Sequence, residues 1–350
     1  MNGVYLDWAA TSPIVRFPID TSKQWCNPNA AYAYEERKVL MDYEELIKAA
    51  IGAKGGHVLY FRCATDALEW LHSQTVDVYG LTWWAHRPYE HDAAVFGIES
   101  KPDELVGADF YCHQLVNQLT GEIHDIKSVH EKLLQYDDVP FLICDCTAAI
   151  HHVSLKAFKV CQYADAVVTS GHKYGCPDIT FMWIDDRLFD WLGGGNDVRN
   201  QWNLKHGSIS VGHVLALADA VEWAGDSKRL NDMNNWYMRL FDYLYCELKK
   251  ADIDFSVIAD TKPSTFAINA IRLNGLNADA VQQYAASKGV YIGVGGSACN
   301  AAGDFHVLNA YGLSNAEAAE VVRVSFGDET NKNDVDSLVS AIVEYKQKYC

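Results

Sequence analysis

A lysine near the middle of the chain follows a short run of residues that is typical of a buried strand. Residues 165–169 are rich in valine, and Ser170-Gly171-His172-Lys173 comes directly after them. Open α/β sheets bind ligands at the carboxyl ends of their strands, where a partly desolvated lysine can form a Schiff base with a carbonyl. A solvated surface lysine is the alternative interpretation, and this stretch alone does not separate the two.

A carboxylate and a hydroxyl at two other predicted strand ends could bind a cofactor that carries a phosphate group. The apolar run 141–144 ends in Asp145, and a buried aspartate needs a cationic partner such as a protonated pyridine nitrogen. The run 58–61 leads to Ala64-Thr65 and a predicted helix, whose free N–H groups favour an anion. The alternative is that Thr65 only caps this helix.

Three further residues could contact a ligand or a substrate. His91 lies in a predicted loop and could stack on an aromatic ring, or it could be a surface histidine. Cys299 lies in a stretch of small residues, where neighbouring cations can make a cysteine a nucleophilic thiolate. Arg323 lies within an apolar strand, so it needs an anion, which could be a substrate carboxylate or an intramolecular salt-bridge partner.

Alternating strands and helices in the first 225 residues predict an α/β fold with a largely parallel sheet. We expect a large cofactor-binding domain over residues 13–225. Residues 1–12 and 226–350 are expected to form a smaller α+β domain that carries the cysteine loop and Arg323. Within the large domain, Asn27-Pro28-Asn29 predicts the start of a helix that ends at Gly52.

Size and composition narrow the class of protein. The chain has 350 residues with 49% hydrophobic content, enough for two domains with sizeable cores. Its formal net charge of -17 disfavours binding to nucleic acid or to an anionic membrane. Because we find neither a long apolar run nor a basic leader, we expect no membrane span and no signal peptide. The ten cysteines are spread through the chain, which is typical of reduced thiols, so we expect a cytoplasmic protein. We expect Cys144 and Cys146 to be buried thiols, and we expect no metal site.

Several short stretches together resemble the cysteine desulfurase family, which comprises pyridoxal-phosphate enzymes of fold type I in the class V aminotransferase group. The most specific stretches are Tyr5-Leu6-Asp7-Trp8-Ala9-Ala10-Thr11, Ser170-Gly171-His172-Lys173, Gly296-Ser297-Ala298-Cys299 and Arg323-Val324-Ser325-Phe326-Gly327. Between them, in the order of the family, lie Asn27-Pro28, Ala64-Thr65, Glu90-His91 and Asn117. The resemblance extends from Tyr5 to about Ile342 and implies a mostly parallel seven-stranded sheet in the large domain.

The resemblance also implies how the chain would bind pyridoxal 5'-phosphate. Lys173 would hold the cofactor as a Schiff base and move protons, Asp145 would pair with the ring nitrogen, and His91 would stack on the ring. The residues implied to bind the phosphate are Ala64, Thr65, Ser170 and His172. Ser208 would reach the phosphate of the neighbouring subunit, which implies a homodimer with shared active sites.

The substrate that the resemblance implies is L-cysteine. Arg323 would bind its carboxylate, and Asn117 would lie near both the cofactor and the substrate. Cys299 would attack the sulfur of the bound cysteine, which releases L-alanine and leaves a persulfide on Cys299. This sulfur would then pass to an acceptor protein, for example in iron–sulfur cluster assembly.

The chain departs from the family pattern at several positions. Ala148 stands where the family has a glutamine, and Lys205 stands where it has an arginine. We therefore expect a divergent member, and two alternatives stay open. One is another class V enzyme, such as an aminotransferase or a selenocysteine lyase, which would need Lys173 and Arg323 but no Cys299. The other is a weakly active or non-catalytic homologue that binds partners.

Overall fold

The structure is a computed structural model, and it describes residues 3–19, 27–79, 82–99, 108–176, 178–295 and 305–349. The chain divides into two compact units, and each has its own sheet. The larger unit comprises Ile14–Leu115 and Asp125–Ser227, and the smaller one comprises Met1–Pro13, Val116–His124 and Lys228–Cys350. The predicted nucleophile Cys299 lies outside the described residues, so its place and its role stay predictions.

The strands of the described residues are numbered in chain order: β1 (Val4–Leu6), β2 (His57–Phe61), β3 (Trp84–His86), β4 (Ile98–Glu99), β5 (Phe110–Gln114), β6 (Phe141–Asp145), β7 (Ala166–Val168), β8 (Thr180–Ile184), β9 (Phe255–Val257), β10 (Ile268–Leu273), β11 (Val290–Val294) and β12 (Val321–Ser325).

The α-helices are numbered in the same way: α1 (Tyr34–Ile51), α2 (Ala64–Tyr79), α3 (Ile126–Leu133), α4 (Val160–Tyr163), α5 (Asp186–Trp191), α6 (Val211–Gly225), α7 (Ser227–Lys250), α8 (Ala278–Ser287), α9 (His306–Ala310), α10 (Asn315–Ala318) and α11 (Lys332–Tyr349). Short 3₁₀ helices cover Asp92–Ala94, Gly171–Tyr174 and Val198–Asn200. Among these described helices, none combines the length and the apolar character that crossing a bilayer requires.

The larger unit is built on a seven-stranded sheet in the order β2-β8-β7-β6-β5-β3-β4. Neighbouring strands are parallel except where β8 pairs with β2 and with β7. This confirms the predicted α/β fold with a mostly parallel seven-stranded sheet. Gln114, Asp145 and Val168 are partners in register, so β5, β6 and β7 end at one edge of the sheet.

The core of the larger unit explains why its central strands consist mostly of apolar residues. All residues of β5, β6 and β8 are buried, as expected for sheet strands covered on both faces. Aromatic rings add to this core, and Trp84 stacks on Phe110 with 4.7 Å between the ring centroids. A fully buried side chain of this kind contributes about 1.5–3 kcal/mol. Cys144 and Cys146 are also fully buried, and their sulfur atoms lie 3.6 Å apart.

The smaller unit has a five-stranded sheet in the order β1-β11-β12-β10-β9. In this sheet β1 and β11 are parallel, and the other neighbouring pairs are antiparallel. The segment Val116–His124 groups with this unit, although it lies within the large domain that the sequence predicts over residues 13–225. Its backbone explains the difference, because Ile123 N donates to Pro263 O (2.8 Å) and Thr265 N donates to Gly121 O (3.1 Å).

Helix α1 begins at Tyr34, so the predicted helix start at Asn27-Pro28-Asn29 is wrong. The Asn27 side chain forms a turn instead, in which Oδ1 accepts a hydrogen bond from Asn29 N (2.9 Å). Asn27 therefore shapes a loop before the helix rather than its first turn. The predicted end of the helix is confirmed, since Gly52 adopts a left-handed conformation with φ of 78°.

Candidate active site

Asp145 is a buried carboxylate at the carboxyl end of β6, with only 6% of its surface exposed. Its Oδ1 atom accepts a hydrogen bond from Thr147 N (2.8 Å). Among the described residues, we find no lysine, arginine or histidine that forms an ion pair with this carboxylate. Burying a carboxylate without a cation is unfavourable, so the site suits a ligand that brings a positive charge.

Glu90 and His113 form a buried pair in the same unit, and neither residue is among the predicted site residues. Glu90 Oε1 lies 3.2 Å from His113 Nδ1, and Glu90 is fully buried. Burial, followed by the charge of Asp145, raises the pKa of Glu90 well above its usual value. The signal in the sequence was the position of His113 on an apolar strand next to Gln114, the register partner of Asp145.

Lys173 lies in the 3₁₀ turn that follows β7, and Lys173 N donates a hydrogen bond to Ser170 O (3.1 Å). Ser170 is buried. The turn needs glycine at position 171, because a β-carbon there would collide with the carbonyl oxygens of Cys176 and Ile179. The Ser-Gly-His-Lys stretch is therefore a tight turn that fixes the backbone of Lys173 a few residues after the end of β7.

His172 and Lys173 are both partly buried. Burial, with a smaller contribution from the neighbouring Lys173, lowers the pKa of His172 to about 4. His172 is therefore neutral at pH 7, and it can donate one ring N–H to an anion without carrying a charge. This property is compatible with its predicted contact to a phosphate group.

Helix α2 begins at Ala64, which is buried, and Thr65 is its second residue. The first N–H groups of a helix have no partners within the helix and favour an anion. None of the hydrogen bonds among the described residues involves the Thr65 hydroxyl, so the structure does not show the helix-cap interaction. The donors at this helix start suit a phosphate group chemically.

His91 precedes the 3₁₀ helix Asp92–Ala94, and its Nδ1 accepts a hydrogen bond from Ala93 N (3.1 Å). In a neutral ring this bond places the proton on Nε2. The ring is half-buried and fixed by the backbone. Its stacking on a cofactor ring stays a prediction.

Ser208 lines a cavity of about 240 Å³ in the larger unit. Arg62, Lys205, Ser210 and His213 line the same cavity. Lys205 Nζ lies over the Phe61 ring, 4.9 Å from its centroid, and burial lowers the pKa of this lysine. The cations and hydroxyls in this cavity suit an anion, although the Asp178 carboxylate lines it as well. The predicted contact of Ser208 with a neighbouring subunit stays a prediction.

In the smaller unit, Arg323 occupies the middle of β12, and 2% of its side chain is exposed. Its Nη2 donates a hydrogen bond to Asp7 Oδ1 (2.6 Å), and its Nη1 donates to Gln118 O (3.2 Å). The structure therefore contains the intramolecular salt bridge that the sequence left as an alternative. The role of Arg323 towards a substrate stays a prediction.

Asn117 is fully buried, and its Oδ1 accepts hydrogen bonds from Leu119 N and Thr120 N, both at 2.9 Å. The oxygen of this amide therefore holds the turn that starts at residue 117. The amide nitrogen of Asn117 would make any contact with a cofactor or a substrate. This contact stays a prediction.

Comparisons with known proteins give a consistent result. Residues 108–338 match the family model described as aminotransferase class-V. Cysteine desulfurase IscS of Methanosarcina thermophila is 24% identical over 99% of this chain and 93% of its own length. A solved NifS-like protein has a TM-score of 0.82 at 17% identity and covers 99% of both chains. The NifS-like protein of Rickettsia africae has a TM-score of 0.80 at 16% identity, over 99% of this chain and all of its own. At these identities the solved structures show a shared fold.

Proposed function

Because the chain belongs to the aminotransferase class-V family, as a divergent relative of the cysteine desulfurases, we propose that it is a pyridoxal-phosphate-dependent cysteine desulfurase. Its substrate is L-cysteine, and its products are L-alanine and a persulfide on Cys299. The observation that carries this proposal is the buried Asp145 carboxylate, which closes a central parallel strand and forms no ion pair among the described residues. A protonated ring nitrogen would supply the missing positive charge.

When bound, pyridoxal phosphate supplies an electron-withdrawing ring that stabilises negative charge at the Cα atom of the substrate. Asp145 would pair with the ring nitrogen and favour its protonated form, and His91 would lie against the ring. Lys173 Nζ would hold the cofactor and would later move protons to and from the carbon atoms of the substrate. The groups that bind the phosphate are the first N–H groups of α2, the Thr65 hydroxyl, Ser170 and His172.

Cys299 performs the sulfur chemistry in this proposal. Its thiolate forms an S–S bond with the sulfur of the bound cysteine while the Cβ–S bond of the substrate breaks. The electron pair of the broken bond stays on Cβ, which takes up a proton to give L-alanine. The persulfide then passes its outer sulfur to a thiol of an acceptor, such as an iron–sulfur scaffold protein. Arg323 binds the substrate carboxylate and Asn117 contributes to substrate binding; like the role of Cys299, these roles derive from the family resemblance.

The test begins with the visible spectrum of the purified protein after addition of the cofactor. We expect the absorbance of a protein-bound Schiff base, and we expect Lys173→Ala to lose it. A wild-type protein that stays colourless would overturn the cofactor assignment. Addition of L-cysteine should change the spectrum and produce L-alanine together with persulfide sulfur.

A pair of cysteine variants then tests the sulfur step. Cys299→Ala should still bind L-cysteine but lose persulfide and alanine formation. Cys246→Ala is the matched control, because Cys246 is an exposed free thiol on α7 for which the mechanism has no role. Alanine production by Cys299→Ala at the wild-type rate would contradict the proposed nucleophile.

We also propose that the protein acts in the cytoplasm as a homodimer in which Ser208 contacts the cofactor phosphate of the partner. The cavity around Ser208, with its cations and hydroxyls, supports a phosphate contact there. A molar mass of twice the chain mass in light scattering is expected. Ser208→Ala should weaken cofactor binding without separating the subunits.

A weakly active homologue is the second candidate, and two observations favour it. Arg323 is enclosed and already paired with Asp7. Ala148, which follows Asp145 by three residues, offers no side-chain hydrogen bond where the family has a glutamine. A holoprotein whose spectrum does not respond to any amino acid would support this candidate, whereas turnover of an amino acid other than cysteine would support an aminotransferase or a selenocysteine lyase.

A further inference from the structure

The guanidinium of Arg323 is enclosed on several sides within the smaller unit. One side is closed by Asp7, whose Oδ1 accepts a hydrogen bond from Nη2 (2.6 Å), and another by Gln118 O (3.2 Å from Nη1). Gly293 covers a third side, because a β-carbon there would lie 3.0 Å from both Arg323 Nε and Asp7 Oδ1. Arg323 Nε itself is buried and has no hydrogen-bond partner among the residues that the structure describes. The cation therefore retains unused N–H donors but offers almost no surface to an incoming anion.

Asp7 is held in place by the backbone of the neighbouring strand. Asp7 and Ser325 form an isolated parallel bridge. The Ser325 hydroxyl accepts a hydrogen bond from Ala9 N (2.9 Å) and donates to Leu6 O (3.4 Å). These contacts fix the main chain around Asp7, while its carboxylate remains the more accessible member of the pair, with 20% of the side chain exposed against 2% for Arg323.

A substrate carboxylate that binds Arg323 must therefore displace Asp7 or share the guanidinium with it. Displacement removes the hydrogen bond between Asp7 and Nη2, and sharing places two negative charges on one cation. Either way, part of the favourable interaction between substrate and Arg323 is offset by the interaction that Asp7 already makes. We propose that Asp7 competes with the substrate carboxylate for Arg323 and thereby sets the affinity of the protein for amino acids. This inference rests on the proposed function, in which Arg323 binds the carboxylate.

The variant Asp7→Asn tests the competition directly. Asparagine keeps an oxygen that can accept the hydrogen bond from Nη2, so Arg323 stays oriented, but the competing charge is removed. We expect the Kd for L-cysteine, from titration of the visible spectrum of the holoprotein, to fall about five- to tenfold. The KM should fall to a similar extent, and kcat should stay the same, because Asp7 acts on binding alone.

A substrate analogue without a carboxylate separates competition from a structural effect. Cysteamine has the amine and the thiol of cysteine but no carboxylate, so its Kd should be the same in wild type and in Asp7→Asn. Asp328→Asn is the matched control, because it removes a carboxylate that pairs with Arg229 (3.2 Å) in the same unit. The Kd of Asp328→Asn for cysteine should equal that of the wild type. The unfolding midpoint of each variant shows whether the fold is kept, and Asp7→Ser replaces Asp7→Asn if the latter does not fold.

The possible results distinguish this inference from the proposed function. A Kd for cysteine that is unchanged or higher in Asp7→Asn overturns the competition, even where the wild type is an active desulfurase. Equal shifts for cysteine and cysteamine overturn it as well. Tighter binding of amino acids by Asp7→Asn without formation of alanine supports the competition and contradicts the proposed activity. If the spectra of the wild type and of Asp7→Asn both stay unchanged on addition of amino acids, the inference is wrong.

Discussion

Glu90 Oε1 lies 3.2 Å from His113 Nδ1, and the two side chains form a buried pair beside Asp145. Gln114, the residue after His113, donates a hydrogen bond from Nε2 to Tyr89 O (2.7 Å), which ties the loop of Glu90 to β5. Burial raises the pKa of Glu90 well above its usual value, and the charge of Asp145 adds to this effect. Its burial therefore favours the neutral form of the Glu90 carboxyl group next to His113.

This arrangement predicts different effects for two amide substitutions. Burial favours the neutral form of the Glu90 carboxyl group, and Glu90→Gln replaces it with a neutral amide of the same shape, so the Kd for pyridoxal phosphate should change by about threefold or less. In Asp145→Asn the charge opposite the ring nitrogen is lost, so the Kd should rise about tenfold or more. Titration of the visible absorbance with cofactor measures both values. A loss in Glu90→Gln as large as that in Asp145→Asn would mean that Glu90 is ionised in the folded protein.

The largely parallel sheet and the places of several polar residues at strand ends could be predicted because of how the central strands are covered. A parallel strand that is buried on both faces is mostly apolar, so a polar residue at its end or soon after it indicates the edge of the sheet. On this basis the sequence predicts Asp145 at the end of one strand and Lys173 after the end of the next, and the structure has Asp145 at the end of β6 and Lys173 after β7. A strand that is followed by small residues and a hydroxyl also predicts a helix in this region, and α2 begins at Ala64.

Other relationships could not be predicted, because they depend on contacts between distant parts of the chain. The sequence indicates that Arg323 needs an anion, but Asp7, its partner, is 316 residues away. The pairing of Glu122 with Ser264, which ties Val116–His124 to the smaller unit, carries no local signal either. At Asn27 the error had a local cause, since the same side chain can cap a helix or form a turn with the next residues.

Gly327, which follows β12, should not tolerate a side chain. A β-carbon at this position would collide with the indole ring of Trp8, which is 6% exposed and donates a hydrogen bond from Nε1 to Tyr5 O (3.0 Å). We expect Gly327→Ala to lower the free energy of unfolding by about 1–3 kcal/mol or more, because a packed aromatic ring must shift. Urea unfolding measures the change.

Gly225→Ala is the control, since Gly225 ends helix α6 and an added β-carbon would meet only Ala50 O, at 3.4 Å. Equal stability of both variants would contradict the packing argument.

Glu44 on α1 should make the stability of the protein depend on pH. It is 4% exposed, its Oε1 accepts a hydrogen bond from Val58 N (3.0 Å), and burial raises its pKa from 4.5 to about 7. Between these two values the folded protein holds a proton that the unfolded chain releases, so the contribution of Glu44 to the free energy of unfolding falls as the pH rises. Glu44→Gln keeps an acceptor for Val58 N and does not ionise. Its stability relative to wild type should therefore increase by about 1–3 kcal/mol between pH 4.5 and pH 8, as measured by urea unfolding at each pH.

Glu45→Gln, at an exposed neighbouring position, should show no such change. Parallel pH curves for wild type and Glu44→Gln would mean that burial does not shift this carboxyl group.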